Sequence, residues 1–120
     1  MIVVVDDEQV VTSALKMLFK VEGFSNANYF NNPLDALEFL KNNEPDVIIS
    51  DVKMPEMNGV EFLKEAKKIY PDVSKILLTG YADKENAIDA INNVGIYKYL
   101  EKPWDNDDLI ITVKNGIERS

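Results

Sequence analysis

Short apolar runs alternate with helical patterns along the whole chain. Three of these runs are continuous, Ile2–Val5, Val47–Ile49 and Ile76–Leu78, and they predict strands that are covered on both faces. Phe24–Tyr29 is a weaker candidate for the second strand, and Tyr97–Leu100 is predicted as the fifth. The sequence therefore predicts five strands, each followed by a helix.

Apolar residues between the strands recur at helical spacing, and glycine or proline interrupts each pattern. Asn32 and Pro33 suit the start of the second helix, and Asp105 with Asp108 suits the start of the last one. Gly116 predicts fraying near the end of the last helix. The apolar positions are Val11, Ala14, Leu15 and Leu18; Leu37 and Leu40; Phe62, Leu63, Ala66 and Ile69; Ala87, Ile88, Ile91 and Val94; and Leu109, Val113 and Ile117.

Five β-α units in strict alternation predict an α/β fold, with one parallel sheet and helices on both of its faces. The 120 residues suit one compact domain over residues 1–120. We see no linker, no low-complexity segment and no internal repeat beyond the alternation itself.

Composition narrows the chemistry. The chain has no cysteine and no histidine, so disulfides, zinc-thiolate sites and histidine general bases are excluded. Any metal must bind through oxygen, which favours Mg²⁺, Ca²⁺ or Mn²⁺. The net charge of −8 argues against direct binding of nucleic acid. Without a membrane-length apolar run or a basic signal region before Ile2–Val5, we expect a soluble cytoplasmic domain with no membrane partner.

Polar side chains follow four of the predicted strands, at the edge where such sheets bind ligands. Three like charges at one edge repel each other, by roughly 1–4 kcal/mol per pair ~4 Å apart, unless a cation balances them. A divalent metal and a lysine would supply that balance. The strand ends are Asp6-Asp7-Glu8, Ser50-Asp51, Thr79-Gly80 and Glu101-Lys102-Pro103.

Each of these residues also has an ordinary structural interpretation. Asp6 or Asp7, taken alone, has about even odds of being only a helix N-cap. Thr79 alone would bond to backbone, and Lys102 alone would be solvated. Tyr99 alone would belong to the core, as Trp104 would to partly buried packing. The combination carries the functional interpretation.

In order, these residues resemble the receiver domains of bacterial response regulators, the CheY-like family. The resemblance covers essentially the whole chain and includes Asp51-Val52-Lys53-Met54-Pro55 with Asn58-Gly59 just after it, and Tyr99 three positions before Lys102. It implies a flavodoxin-like sheet of strand order 2-1-3-4-5 and a cis peptide between Lys102 and Pro103. The Lys102-Pro103-Trp104 segment is similar to receivers that precede transcriptional-activator or HD-type phosphodiesterase modules.

The resemblance also implies roles. Asp51 would accept a phosphoryl group from a sensor histidine kinase or a phosphotransfer protein, while Asp6, Asp7, Asp51 and the backbone carbonyl of Lys53 hold Mg²⁺. Lys102 and Thr79 would bind phosphoryl oxygens, and Thr79 and Tyr99 would act as the switch. The moving parts would be the loop at residues 80–84 and the face formed by the fourth helix, the fifth strand and the fifth helix. That face would control an output domain, an effector protein or a phosphorylation-dependent homodimer.

Three rival functions fit less well. A haloacid-dehalogenase phosphatase needs a second aspartate two residues after its nucleophile, where this chain has Lys53. A nucleotide or flavin binder needs a glycine-rich phosphate loop, which is missing after the first strand. A pseudo-receiver would lack part of the site, whereas every expected residue type is present. We therefore predict a phosphoacceptor that modifies itself and has no separate substrate to turn over.

Overall fold

The computed structural model describes residues 1–80, 88 and 92–119. Its five strands form one sheet in the order β2-β1-β3-β4-β5, and every neighbouring pair is parallel. The predicted fold class and strand order are confirmed. The strands are β1 (Ile2–Val5), β2 (Ala27–Phe30), β3 (Val47–Asp51), β4 (Ser74–Thr79) and β5 (Lys98–Glu101).

Four helices are described from end to end, and side-chain caps mark the starts of three of them. The Asn32 side chain accepts a hydrogen bond from the Leu34 N–H, and Asn58 forms a reciprocal capping box with Glu61. The Asp105 carboxylate accepts hydrogen bonds from the backbone N–H groups of Asp107 and Asp108. The helices are α1 (Gln9–Val21), α2 (Pro33–Leu40), α3 (Gly59–Ile69) and the C-terminal helix (Asn106–Arg119).

The predicted fourth helix is described only at residues 88 and 92–94, which are helical. The predicted positions Ala87 and Ile91, and all but the first residue of the predicted mobile loop at 80–84, lie outside the described residues.

The sheet separates two apolar clusters, as a sheet covered on both faces requires. One contains Val3, Ile48 and Leu77 and packs under α2 and α3. The other contains Val4 and Ile49 and packs under α1 and the C-terminal helix. Consecutive strand residues point to opposite faces, so both clusters draw on the same apolar runs. Within the described ranges, no helix has the length and apolar character needed to cross a membrane.

Several strand boundaries differ from the sequence prediction. β2 begins at Ala27 instead of Phe24, because Phe24 closes the turn after α1: its N–H donates to the Phe19 carbonyl at 2.8 Å, and its ring lies edge-on to that of Phe19. β5 likewise begins one residue later than predicted, at Lys98, and extends to Glu101.

The prediction that Gly116 frays the last helix is wrong. The helix continues to Arg119, and Gly116 is buried within it. A Cβ at residue 116 would lie 3.2 Å from the Val47 side chain, and the Ser74 hydroxyl donates to the Gly116 carbonyl at 2.7 Å. The glycine lets the helix approach the sheet closely, and this packing outweighs its low helix propensity.

Candidate functional site

Four carboxylates meet at the carboxyl end of β1 and β3. Asp6, Asp7, Glu8 and Asp51 each offer an oxygen, and these oxygens all lie within 4.8 Å of one another. Asp6 and Asp51 are buried, while Asp7 and Glu8 reach solvent. The predicted convergence of the three aspartates is therefore present, with Glu8 as a fourth member.

Lys102 bridges the two buried carboxylates. Its Nζ lies 2.8 Å from Asp6 Oδ2 and 3.1 Å from Asp51 Oδ1. The Lys102 backbone N–H donates to the Thr79 carbonyl at 2.7 Å, which fixes the segment after β5 to the end of β4. The peptide bond between Lys102 and Pro103 is cis, as predicted.

Asp6 is held in place by a residue that the sequence analysis did not single out. Asn31, directly after β2, donates from Nδ2 to the Asp6 carbonyl at 2.8 Å and to the Thr12 hydroxyl at 3.0 Å. The Glu8 N–H also donates to Asp6 Oδ1 at 2.9 Å. These bonds orient the Asp6 carboxylate toward Lys102.

Asp51 is held in place by Gly59, the first residue of α3. The Gly59 N–H donates to the Val52 carbonyl at 2.7 Å, and a Cβ at residue 59 would overlap the backbone carbonyl of Asp51. Only glycine allows this close approach of α3 to the end of β3. The sequence contains the pair Asn58-Gly59, but it does not show which residue Gly59 contacts.

Thr79 ends β4 beside this group. Its hydroxyl is completely buried and has no hydrogen-bond partner within the described ranges. A buried hydroxyl without a partner costs roughly 1–3 kcal/mol, which a ligand oxygen at this position would recover. The ordinary alternative, in which the Thr79 hydroxyl bonds to backbone, is therefore not what the described residues show.

An open cleft of about 490 Å³ gives access to the site. Lys53 lies on its wall, in the loop after β3, and Gly80 lies next to Thr79. The cleft is lined by Asp7, Glu8, Asp51, Lys53, Met54, Pro55, Gly80 and Lys102.

Tyr99 lies on the same face of the sheet as Thr79. In the pairing of β4 with β5, Tyr99 lies opposite Leu77. Leu77 and Thr79 are two residues apart on β4, so their side chains point to the same face of the sheet. Tyr99 is half-buried against the apolar cluster under α2 and α3. Trp104, as predicted, is partly buried packing against the other cluster.

The family model for the response regulator receiver domain matches residues 2–114. The chain belongs to this family. It is 38% identical to the hydrogenase transcriptional regulatory protein HoxA of Cupriavidus necator, over 98% of the chain and 24% of that protein. The chain thus spans about a quarter of the length of the curated relatives it matches.

Two solved structures agree with this assignment. A response regulator receiver domain protein from Clostridium thermocellum matches with a TM-score of 0.91 and 38% identity, covering 98% of this chain and 94% of that one. The signal receiver domain of an HD domain-containing protein from Pseudomonas fluorescens Pf-5 matches with a TM-score of 0.90 and 32% identity, covering 98% and 93%. The chain is thus a receiver of two-component signalling and not a member of a metabolic enzyme family.

Burial and neighbouring charges shift the pKa values of two residues in the receiver's site, Asp51 and Lys102. Burial, and then the charge of Asp6, raise the pKa of Asp51 to about 6, although Lys102 opposes the shift. Burial lowers the pKa of Lys102, but the hydrogen bond and charge of Asp6, together with Asp51, raise it overall. The ionised Asp51 is therefore held at a cost that an added cation would relieve.

We expect Asp51→Asn to stabilise the metal-free receiver at neutral pH. The folded-state pKa of Asp51 is raised from 3.8 to about 6, so the folded chain holds this proton more tightly than the unfolded chain. Its contribution to stability is present below pH 3.8 and is lost as the pH rises to about 6. The gain should be on the order of 2–3 kcal/mol at pH 7 and near zero at pH 4.

Urea unfolding in EDTA across this pH range measures the difference. Asp35→Asn, which changes an exposed aspartate on α2, is the matched control. An Asp51→Asn gain of equal size at pH 4 and pH 7 would contradict the electrostatic explanation.

Proposed function

We propose that Asp51 accepts a phosphoryl group from the phosphohistidine of a sensor kinase or phosphotransfer protein, in a Mg²⁺-dependent reaction. The observation that carries this proposal is the buried Asp51 carboxylate, bridged to Asp6 by Lys102 at the base of an open cleft. The receiver would catalyse its own phosphorylation and dephosphorylation, without a separate substrate.

The chemistry follows from the side chains present. A carboxylate oxygen of Asp51 attacks phosphorus, the O–P bond forms as the N–P bond of the phosphohistidine breaks, and the electron pair leaves with the imidazole. Negative charge lies on the three equatorial oxygens during transfer. Among the described residues, the Lys102 ammonium and the Thr79 hydroxyl, which has no hydrogen-bond partner there, are donors available for two of them.

The residues present fit a hard divalent cation. Asp6, Asp7, Asp51 and the backbone carbonyl of Lys53 are the ligands we propose, and the solvent-reaching Glu8 adds a further carboxylate within reach. All are oxygen donors, which Mg²⁺ prefers, while Mn²⁺ or Ca²⁺ would also be accepted. When bound, the cation neutralises charge that would otherwise repel the phosphoryl donor.

We expect Mg²⁺ to stabilise the receiver against unfolding. The gain is about 1.4 kcal/mol at ten times the dissociation constant, because only the folded chain gathers the carboxylates. Asp7→Ala should weaken Mg²⁺ binding at least tenfold, because Asp7 is one of the clustered carboxylates. A calorimetric titration, paired with melting curves, measures both effects. Asp35→Ala is the control, and equal Mg²⁺ affinity in Asp7→Ala and Asp35→Ala would refute the ligand assignment.

A signalling role also requires two conformations of the output face. Thr79 and Tyr99 share one face of the sheet, one register step apart. Rotation of the Thr79 hydroxyl toward a phosphoryl oxygen would leave space beside β5, and Tyr99 would turn into that space. The switch therefore runs from Thr79 through Tyr99 to the surface formed by the predicted fourth helix, β5 and the C-terminal helix.

We expect Tyr99→Ala to uncouple this surface from the site. Beryllofluoride with Mg²⁺ mimics the phosphoryl group and should change amide exchange at Thr79 and across β5 in the unmodified chain. In Tyr99→Ala the change at Thr79 should remain, while the change at β5 and the C-terminal helix should be lost. Tyr97→Ala, which removes a tyrosine packed on the other cluster, is the control. Exchange changes confined to α1 and α2 would overturn this output face.

Partners follow from the same proposal. A donor protein must approach the cleft beside the start of α1, where Val10, Ala14, Met17 and Val21 form an exposed apolar stripe at spacings of four, three and four. We propose that residues 1–120 form one receiver unit in the cytoplasm, without contacts to nucleic acid or membrane. Its output is a domain, an effector protein or a second phosphorylated copy. Its relatives include transcriptional regulators and an HD domain-containing protein, which supports the two output types that we propose from Lys102-Pro103-Trp104.

A further inference from the structure

A second cleft lies at the opposite end of the strands from Asp51. Lys67 from α3, Lys75 from β4 and Arg119 from the C-terminal helix line this cleft, whose volume is about 450 Å³. Asp72 is the one acidic residue among the described residues of its lining. We call it the basal cleft. In a chain of net charge −8, three cations around one cleft are a local reversal of charge.

Lys75 is the unusual member. Its side chain is only 3% exposed, and its ammonium donates one hydrogen bond, to the Val73 carbonyl at 3.0 Å. An ammonium has three donors, so this one bond leaves two without an acceptor among the described residues. Burial, and then the charges of Lys67 and Arg119, lower the pKa of Lys75. The charge of Asp72 opposes this shift without cancelling it, so burial of the Lys75 ammonium remains costly, and a bound anion would offset that cost.

The three cations lack carboxylate partners in the part of the chain that the structure describes. No Asp or Glu oxygen lies within 4.0 Å of Lys67, Lys75 or Arg119 there. The guanidinium of Arg119 instead lies over the Tyr97 ring, 4.4 Å from its centroid, and the Tyr97 N–H donates to the Lys75 carbonyl at 2.8 Å. Arg119, through its guanidinium, and Lys75, through its backbone carbonyl, therefore both contact Tyr97.

The backbone also leaves room beside Lys67. Gly95 has a φ of +78°, and a Cβ at that position would lie 3.8 Å from Lys67 Nζ. Cationic donors thus reach the basal cleft from three separate elements. A tetrahedral anion, whose oxygens point in different directions, matches such donors better than a planar carboxylate, which a single guanidinium can bind.

We propose that the basal cleft binds a phosphate group, either as free inorganic phosphate or as the phosphate of a small molecule. The buried Lys75 contacts one oxygen, while Lys67 and Arg119 contact others from α3 and the C-terminal helix. Lys75 lies four residues before Thr79 on β4, about 13 Å away at ~3.3 Å per residue, so this site is distinct from the phosphoacceptor cleft.

The test is an amide-shift titration of the ¹⁵N-labelled chain in EDTA, which keeps metal from the Asp51 cleft. Sodium phosphate, adenosine monophosphate and malonate are compared at constant ionic strength. We expect saturable shifts at Val73, Lys75 and Gly95 with phosphate, at a dissociation constant of about 1 mM or lower. Lys75→Met should weaken binding at least tenfold. Lys114→Met, an exposed lysine on the same C-terminal helix, should leave binding unchanged.

Arg119→Gln keeps the test valid should Lys75→Met fail to fold, because Arg119 is exposed at the end of a helix. It should also weaken binding at least tenfold. Tighter binding of adenosine monophosphate than of phosphate would assign the site to a phosphate ester, and equal binding would assign it to the phosphate group alone. Shifts that never saturate, shifts centred on Asp51, or malonate binding as tightly as phosphate would each overturn the proposal.

Discussion

Gly59→Ala should destabilise the receiver by about 3 kcal/mol and impair its phosphorylation together. The added Cβ would overlap the backbone carbonyl oxygen of Asp51 and lie 2.9 Å from the carbonyl carbon. These are backbone atoms at the end of β3, which cannot move aside as the tip of a flexible side chain would. Either α3 shifts away, breaking the Gly59 hydrogen bond to Val52, or the Asp51 carboxylate moves from its place beside Lys102.

Gly23→Ala is the matched control, because it makes the same change where no atom lies within 4 Å. Gly23 has a φ of +85°, so its substitution should cost only the backbone strain, on the order of 1 kcal/mol. Urea unfolding gives both free energies, and incorporation of phosphate from acetyl phosphate gives the second readout. Equal stabilities for the two variants, with normal phosphorylation of Gly59→Ala, would show that α3 does not fix Asp51.

The fold could be predicted because its apolar runs are continuous. Ile2–Val5 and Val47–Ile49 lack the alternation of a half-exposed strand, so each needed cover on both faces, and the helices between them supplied it. The ends of β2 were harder, because Phe24 suits a strand as well as a turn. Its contact with Phe19, which decides the matter, is a packing interaction that propensity does not contain.

The end of the sheet that carries the site could be predicted for the same reason, but the contacts among the site residues could not. Alternation alone places Asp6 and Asp51 at one end of the sheet, whereas the ion pair of Lys102 with Asp6 joins residues 96 positions apart. The supporting contacts of Asn31 and Gly59 depend on how neighbouring elements dock. The burial of Lys75 could not be predicted, because a single lysine just before the apolar run Ile76–Leu78 is expected to be a solvated residue at the start of a strand.

The expected result with the largest effect is loss of phosphorylation on removing Asp51 or the metal. Acetyl phosphate supplies the same phosphoryl group as a kinase but makes no protein contacts, so it isolates the site. With Mg²⁺, one phosphoryl group should enter the chain, and Asp51→Asn should reduce incorporation to background. Lys102→Met should reduce it at least tenfold while retaining Mg²⁺ binding, because Lys102 is the cation within 3.1 Å of Asp51. Lys114→Met, an exposed lysine on the C-terminal helix that does not line this cleft, is the control that keeps incorporation.

The most direct test is therefore intact mass and peptide mapping after incubation with acetyl phosphate, with Mg²⁺ and with excess EDTA. We predict a single added phosphoryl group on Asp51 that appears only when Mg²⁺ is present. Equal incorporation in EDTA, or a phosphoryl group mapped to another residue, would contradict the assignment of Asp51 as the metal-dependent phosphoacceptor.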